Sequence, residues 1–232
     1  MRKYAIIVAG GSGSRAGSEM PKQFVELLGI PMLWWSVSAF IKADADTSII
    51  IAINPAWRTH WENLQKSLSE KFNIRDITLV NGGKSRAESV RNALSLIPDQ
   101  EDILVAVHDA ARPIISPEVI TRGWATAAER DAAIPVVPVT DSLRSVSSDG
   151  DSRAVNRENY KVVQTPQIFK AGLLHEAYRI PDKPEYTDDA SRVDALGIGI
   201  ALYEGDVNNF KVTNPHDFAL AETILNTRLK SQ

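Results

Sequence analysis

Short apolar runs alternate with amphipathic stretches along most of the chain. Six apolar runs predict strands: Tyr4–Ala9, Ser48–Ile53, Ile77–Val80, Ile103–Val107, Ala133–Val139 and Ile198–Tyr203. Apolar residues at helical spacing predict helices over Met32–Ala43, Trp57–Phe72, Ser85–Ile97, Pro117–Arg130, Gly172–Arg179, Thr187–Leu196 and Pro215–Arg228. Because strands alternate with helices, we expect an α/β fold with a mostly parallel sheet and helices on both faces.

This alternation stops after Val139. Residues 140–165 are mostly polar, with a turn at Ser145–Asp151 and extended pieces around Asp141–Val146 and Tyr160–Val163. They predict a projecting β-hairpin, which we call the β-arm (residues 140–165). A projecting hairpin leaves unpaired strand edges that proteins usually cover, so we expect a second subunit to cover it. No repeat or linker marks another domain, and one domain is expected over residues 1–232.

Composition and charge narrow the classes of function. The 232 residues include no cysteine, which excludes disulfides, thiolate nucleophiles and cysteine-ligated metals. The formal charge of −3 provides no general attraction to nucleic acid, so an anionic ligand needs a local basic cluster. No apolar run approaches the ~20 residues of a membrane span, and the N-terminus lacks the pattern of a signal peptide. We therefore expect a cytoplasmic protein that binds neither nucleic acid nor membrane.

A glycine-rich loop follows the first predicted strand. Its sequence is VAGGSGSRAGSEMPKQF, and its glycines are Gly10, Gly11, Gly13 and Gly17. Such a loop brings successive backbone N–H groups close to an anion, at the strand end where open α/β sheets bind ligands. Arg15 and Lys22 add two cations. Cations of this kind are needed where a phosphoanhydride is broken, because charge builds up on the transferring group.

A nicotinamide-binding module is the alternative from a different class. The loop formally matches G-x-G-x-x-G/A at Gly11, Gly13 and Ala16. That motif requires a helix at once and an acidic residue about 20 positions later, at the end of the second strand. Here Pro21 interrupts the segment, and the second strand is followed by Asn54 without an acid. The loop therefore favours phosphate chemistry over dinucleotide binding.

Three further strand ends carry polar side chains. The fourth strand runs into HDAARP, where Asp109 is a candidate Mg²⁺ ligand, although a lone aspartate equally caps a turn. His108 in that segment is expected to be a packed, hydrogen-bonded histidine. The segment GGKSRAES after the third strand is placed to form a wall of a base pocket, and NNFKVT places the cation Lys211 after the last strand.

Taken together, these segments resemble the bacterial 2-C-methyl-D-erythritol 4-phosphate cytidylyltransferases of non-mevalonate isoprenoid biosynthesis. The match runs in order over nearly the whole chain, through AGGSGSR…PKQF, GGKSRAESV, HDAARP, VVQTPQ, TDDAS and NNFKVT. The resemblance implies a Rossmann-like nucleotidyltransferase fold whose β-arm exchanges contacts across a homodimer. It also implies Mg²⁺ as cofactor, CTP and the polyol phosphate as substrates, and 4-diphosphocytidyl-2-C-methyl-D-erythritol and pyrophosphate as products.

The resemblance assigns the nucleotide-binding residues. It implies a CTP loop made of Ala9, Gly10, Gly11, Gly13 and Arg15. Gly83 and Ser89 correspond to the cytosine pocket, where close backbone excludes purines. Arg15 and Lys22 correspond to the groups that stabilise the transition state.

The acceptor side is assigned in the same way. Asp109 corresponds to the carboxylate that holds Mg²⁺ and substrate, with Ala110 beside it and Arg112 nearby. Lys211 and Arg157 correspond to residues that position the sugar phosphate, Arg157 reaching in from the partner's β-arm. The residues that match sugar contacts are Ser142 and Thr187. The chain departs from the family's pattern at Ala16, Lys84, Ser142 and Asn208, and none of these changes removes a catalytic cation.

The nucleophile of this reaction is a phosphate oxygen. Its second pKa is about 6, so the group is largely dianionic at neutral pH and needs no general base. This agrees with the absence of a convincing catalytic histidine or cysteine in the sequence. Ribitol-5-phosphate cytidylyltransferase uses the same scaffold, CTP and Mg²⁺, and it is the alternative for the acceptor.

Overall fold

The structure is a computed structural model that describes residues 1–11, 20–72 and 77–230. The strands, in chain order, are β1 Arg2–Ala9, β2 Glu26–Leu27, β3 Ile30–Pro31, β4 Ser48–Ile53, β5 Ile77–Asn81, β6 Ile103–Asp109, β7 Ala132–Pro138, β8 Leu143–Val146, β9 Ser152–Val155, β10 Lys161–Val163, β11 Gln167–Lys170 and β12 Ala201–Glu204. The helices are α1 Met32–Ala43, α2 Arg58–Phe72, α3 Arg86–Leu94, α4 Pro117–Arg130, α5 Ala171–Arg179, α6 Asp189–Asp194 and α7 Pro215–Lys230. Gly13, Arg15, Ala16 and Gly17 lie outside the described residues.

An eight-stranded mixed sheet organises the chain. Its strand order is β10-β7-β11-β6-β1-β4-β5, and β12 also pairs with β7. The pairs β6–β1, β1–β4, β4–β5 and β12–β7 are parallel, whereas β10 and β11 run antiparallel to their neighbours. Every residue of β6 is buried, because this strand lies inside the sheet with helices above and below it.

Different helices cover the two faces of the sheet. On one face, Ile7 of β1 belongs to the same core cluster as Trp34 of α1 and Trp124 of α4. On the other face, Ile6 clusters with Leu94 of α3 and with residues of α5 and α6. Successive strand residues point to opposite faces, so the apolar run of β1 requires cover on both sides. The predicted α/β fold with a mostly parallel sheet and helices on both faces is confirmed.

The predicted pairing within the β-arm is wrong. Strand β8 pairs with β9, and not with the stretch Tyr160–Val163. The turn between them closes tightly, since Ser147 donates its N–H to the Asp151 carbonyl at 2.9 Å, and such a turn places the residues that directly follow it alongside β8. Strand β10 instead pairs with residues Val136–Pro138 of β7 and extends the main sheet.

Strand β11 is missing from the sequence prediction. It pairs antiparallel with β6 and with β7, and so lies between two strands of the main sheet. It has four residues, which is too short for a periodic signal to stand out. Among the described residues, no helix is both long and apolar enough to cross a membrane.

Candidate active site

A cleft of about 750 Å³ opens at the carboxyl ends of β1, β5 and β6. Ligands of open α/β sheets bind at such strand ends, because the loops there converge on one edge. The cleft is lined by nine of the residues that the sequence predicted to form the site. They are Ala9, Gly10, Gly11, Lys22, Gly83, Ser89, Asp109, Ala110 and Lys211. Residues that are far apart in the chain therefore form one site.

Two glycines along the cleft make close contacts that leave no room for a side chain. A Cβ atom on Gly10 would lie 2.8 Å from Ser89 Oγ, and one on Gly83 would lie 2.2 Å from Glu88 Cγ. The Ser89 hydroxyl accepts the Gly83 N–H at 3.0 Å and donates to the Ser85 carbonyl at 2.9 Å. A side chain at Gly10 would push the first loop away from Ser89 on the α3 wall, whereas one at Gly83 would collide with Glu88 within that wall.

Gln23 fixes the start of the glycine loop. It is buried, and its Nε2 donates to the Ala9 carbonyl at 2.9 Å and to the Gly11 carbonyl at 3.0 Å. These two bonds occupy carbonyl oxygens at the end of β1, which would otherwise repel an anion. Sequence reasoning included this glutamine in the PKQF segment but assigned it no role. The one feature of the sequence that could have indicated a role for Gln23 is its position next to Lys22.

Asp109 lies between two cations at the end of β6. Its Oδ1 accepts from Arg86 Nε at 3.0 Å, and its Oδ2 accepts from Lys211 Nζ at 2.7 Å. Burial opposes ionisation, but the charges of Arg86 and Lys211 outweigh it and hold the Asp109 pKa well below its usual range. Of the residues that the structure describes along the cleft, Asp109 is the one acidic side chain.

Behind Asp109 lies a network of hydrogen-bonded side chains that the sequence did not predict. Arg86 Nη2 donates to Asp189 Oδ2 at 2.7 Å, and the Tyr178 hydroxyl donates to Asp189 Oδ1. Burial raises the pKa of Tyr178, and the neighbouring negative charge adds to the effect. Both segments, SRAES and TDDAS, were recognised as parts of the family's pattern, but nothing local in them shows that they meet.

His108 and Thr165 support the backbone of Asp109. The Asp109 N–H donates to Thr165 Oγ1 at 3.1 Å, and His108 Nε2 contacts the Arg112 carbonyl at 3.2 Å. Burial lowers the pKa of His108 to about 4, so the ring is neutral at pH 7. A carbonyl only accepts, so Nε2 carries the proton, and the Thr165 hydroxyl donates to Nδ1 at 3.0 Å. The predicted packed, hydrogen-bonded histidine is confirmed.

Two lysines approach the cleft from opposite ends of the chain. Lys22 Nζ donates to the Val212 carbonyl at 2.8 Å, next in sequence to Lys211. Lys211 follows the last strand and pairs with Asp109. Both lysines line the cleft, although 190 residues separate Lys22 from Val212.

Four predicted residues do not line the described cleft of their own protomer. Arg112 donates from Nη1 to the Asn209 carbonyl at 2.8 Å. Ser142 and Arg157 are exposed on the β-arm, where Arg157 donates to the Thr140 carbonyl. Thr187 is exposed just before α6. Their predicted contacts with substrate stay predictions, as do those of Gly13 and Arg15.

Known proteins resemble the chain over nearly its whole length. The family model for 2-C-methyl-D-erythritol 4-phosphate cytidylyltransferase matches residues 4–227. The protein of that name from Bacteroides thetaiotaomicron is 40% identical over 225 residues, which cover 97% of this chain and 100% of the relative. The crystal structure of the Thermus thermophilus protein superposes with a TM-score of 0.74 at 31% identity, covering 97% of this chain and 100% of that one.

A more distant structure shares the fold. The 4-diphosphocytidyl-2C-methyl-D-erythritol synthase from Anaerococcus prevotii superposes with a TM-score of 0.83 at 23% identity, covering 97% of this chain and 98% of that chain. The predicted nucleotidyltransferase architecture is thereby confirmed. The order of the segments, the cleft at the strand ends and these similarities agree, and the chain belongs to the 2-C-methyl-D-erythritol 4-phosphate cytidylyltransferase family.

Proposed function

We propose that the cleft binds CTP beside 2-C-methyl-D-erythritol 4-phosphate and joins them, releasing pyrophosphate. The product is 4-diphosphocytidyl-2-C-methyl-D-erythritol, and the step belongs to non-mevalonate isoprenoid biosynthesis. The observation that carries this proposal is the convergence of a glycine loop, Lys22, Asp109 and Lys211 on one cleft in a chain of this family. Neither ribitol-5-phosphate transfer nor dinucleotide binding receives support from the relatives.

The nucleotide lies against the first loop and the α3 wall in this proposal. Gly10 and Gly11 leave their backbone accessible to the triphosphate. The triphosphate contacts predicted for Gly13 and Arg15 are part of the same proposal. Gly83 and Ser89 form the base pocket together with Ala9 and Ala110. Because Gly83 is packed against Glu88 and hydrogen-bonded to Ser89, this wall does not retreat easily. A cytosine is therefore favoured over a larger purine.

The chemical difficulty is the approach of one anion to another. The acceptor phosphate is already a dianion at neutral pH, so no side chain must remove a proton. Lys22 and Arg15 stabilise the charge that develops at the α-phosphorus and on the departing pyrophosphate. Lys211 aligns the attacking phosphate, and correct alignment alone contributes up to about 7–11 kcal/mol in ideal cases.

Asp109 fits a role in holding Mg²⁺. This ion is typically bound through one or two carboxylates, with substrate phosphates and water completing its shell. Asp109 provides an ionised carboxylate at the cleft, with a side chain 12% exposed. Asp109 would hold the ion beside the triphosphate, and the positive charge supplied there would reduce the repulsion between the two anions. Asp109 is accordingly both the metal ligand and a substrate-positioning group in this proposal.

The β-arm is proposed to complete the site of a second subunit. Arg157 and Ser142 lie on the arm and outside the cleft of their own protomer, as an arrangement in trans requires. The arm region also exposes apolar side chains: Val146 at 67%, Val162 at 49% and Tyr160 at 48%. A homodimer would bury them. One nucleotidyltransferase domain over residues 1–232 and a cytoplasmic location stay predictions.

A pyrophosphate-release assay tests the function. CTP is supplied with 2-C-methyl-D-erythritol 4-phosphate or with ribitol 5-phosphate, each with and without Mg²⁺. We expect release that depends on the methylerythritol phosphate and on Mg²⁺, and a weaker response when ATP replaces CTP. Faster release with ribitol 5-phosphate would assign the other acceptor, and no release with either would refute the proposal.

A further inference from the structure

We infer that Arg86 is a positioning residue for Asp109, and that the buried carboxylate of Asp189 holds Arg86 in place for this task. The inference rests on the proposed role of Asp109 in the transfer reaction. It assigns an indirect catalytic effect to Asp189, a residue that does not line the described cleft.

Arg86 connects two carboxylates that belong to different parts of the fold. It is the first residue of α3, whose N-terminus is capped by the Ser85 side chain. Its Nε contacts Asp109 at 3.0 Å and its Nη2 contacts Asp189 at 2.7 Å. The planar guanidinium fixes the angle between these two contacts, so the position of Asp189 determines where Nε points.

Asp189 supplies a rigid anchor. It is the first residue of α6 and is fully buried. A carboxylate in the interior needs a charged partner and further hydrogen bonds, which here come from Arg86 and the Tyr178 hydroxyl. Among the contacts described for Asp189, the one to Arg86 leads to the cleft.

The two cations on Asp109 have different surroundings. Arg86 contacts Oδ1 and has 27% of its side chain exposed, whereas Lys211 contacts Oδ2 and is 47% exposed. Lys211 is thus the partner that can turn toward a phosphate. Arg86 is held by its ion pair with Asp189 and remains in contact with Asp109. It keeps the Asp109 carboxylate oriented after Lys211 has moved, with Oδ2 toward the ligand.

The same residue links this carboxylate to the nucleotide pocket. Arg86 and Ser89 lie on the same turn of α3, and Ser89 holds the Gly83 backbone. The position of Asp109 is therefore coupled to the wall against which the nucleotide is proposed to bind. A displacement of about 1 Å far from the chemistry is enough to cost about 10²-fold in rate.

The first experiment compares Asp189→Asn with wild type by steady-state kinetics with both substrates. We expect kcat to fall about 10-fold or more, while calorimetry shows CTP affinity within about threefold of wild type. Arg86→Met should lower kcat by about 10²-fold, and Arg86→Lys should recover part of it, because a lysine provides charge without the planar fork. The control is Arg179→Met, whose ion pair with Asp99 lies on the protein surface.

Two double variants separate positioning from an independent role. If Arg86 acts through Asp109, adding Arg86→Met to the Asp109→Asn variant should change kcat by less than about threefold. If Asp189 acts through Arg86, the double variant of Asp189→Asn and Arg86→Met should have the same kcat as Arg86→Met alone. If the kcat losses of the two single substitutions multiply in either double variant, the inference is overturned. So would a folded Asp189→Asn variant with wild-type kcat, or an Arg86→Met variant whose whole defect is weaker CTP binding.

Folding is checked for each variant by circular dichroism. Should Asp189→Asn fail to fold, Tyr178→Phe replaces it, because it removes one hydrogen bond from Asp189 and keeps the ring. We then expect a lower kcat in the wild-type background and no further loss in the Arg86→Met background. Equal losses in both backgrounds would refute the inference. A wild-type chain without transferase activity would instead refute the proposed function.

Discussion

Removal of the Arg86 charge should destabilise the fold far more than removal of an arginine whose ion pair lies on the surface. Arg86→Met leaves the fully buried Asp189 without its ionic partner at 2.7 Å. Breaking a buried pair on one side costs about 3–5 kcal/mol, and because Arg86 is 27% exposed we expect the lower end, about 3 kcal/mol. For a chain of this length, that corresponds to a melting temperature lower by roughly 6–12 °C.

The matched control is Arg179→Met. Its pair with Asp99 is similarly short, at 2.8 Å, but the two side chains are 70% and 43% exposed. Such pairs contribute at most about 1 kcal/mol. Urea unfolding at pH 7, followed by circular dichroism, measures both variants, and Asp189→Asn added to Arg86→Met should restore part of the loss. If the two single variants differ by less than about 1 kcal/mol, this view of the buried pair is wrong.

The remaining predictions concern catalysis, pH and assembly. Lys22→Ala should lower kcat by about 10²–10³ with a smaller change in KM, and a near-normal kcat would remove Lys22 from transition-state stabilisation. The pKa of His108 is lowered from 6.5 to about 4, so the free energy of unfolding should fall as the pH drops from 6.5 toward 4. Urea unfolding at several pH values measures this change. A His108→Gln variant whose stability depends on pH in the same way would contradict the prediction. Light scattering should show a dimer. Mixing inactive Lys22→Ala and Arg157→Ala dimers should restore activity, because a mixed dimer contains one intact site, and an active monomer would exclude Arg157 acting in trans.

The local pattern of the chain predicted much of the site, for identifiable reasons. Carboxyl ends of parallel strands meet at one edge, so the glycines after β1, the loop after β5 and Asp109 at the end of β6 were expected to converge. Lys22 was expected there because it follows the glycine loop. Gln23 was not, since its hydrogen bonds to Ala9 and Gly11 depend on how the chain turns back.

Local sequence was enough to predict the type of each long element and the kind of chemistry. Apolar periodicity specified the long helices and the buried parallel strands, and the glycines with their neighbouring cations predicted a phosphate site. Which distant residues come into contact depends on the tertiary structure. The strand β11 exists because β6 and β7 provide partners on either side. Arg86 meets Asp189 across 103 residues, and a contact of that separation depends on how the helices pack, which local periodicity does not encode.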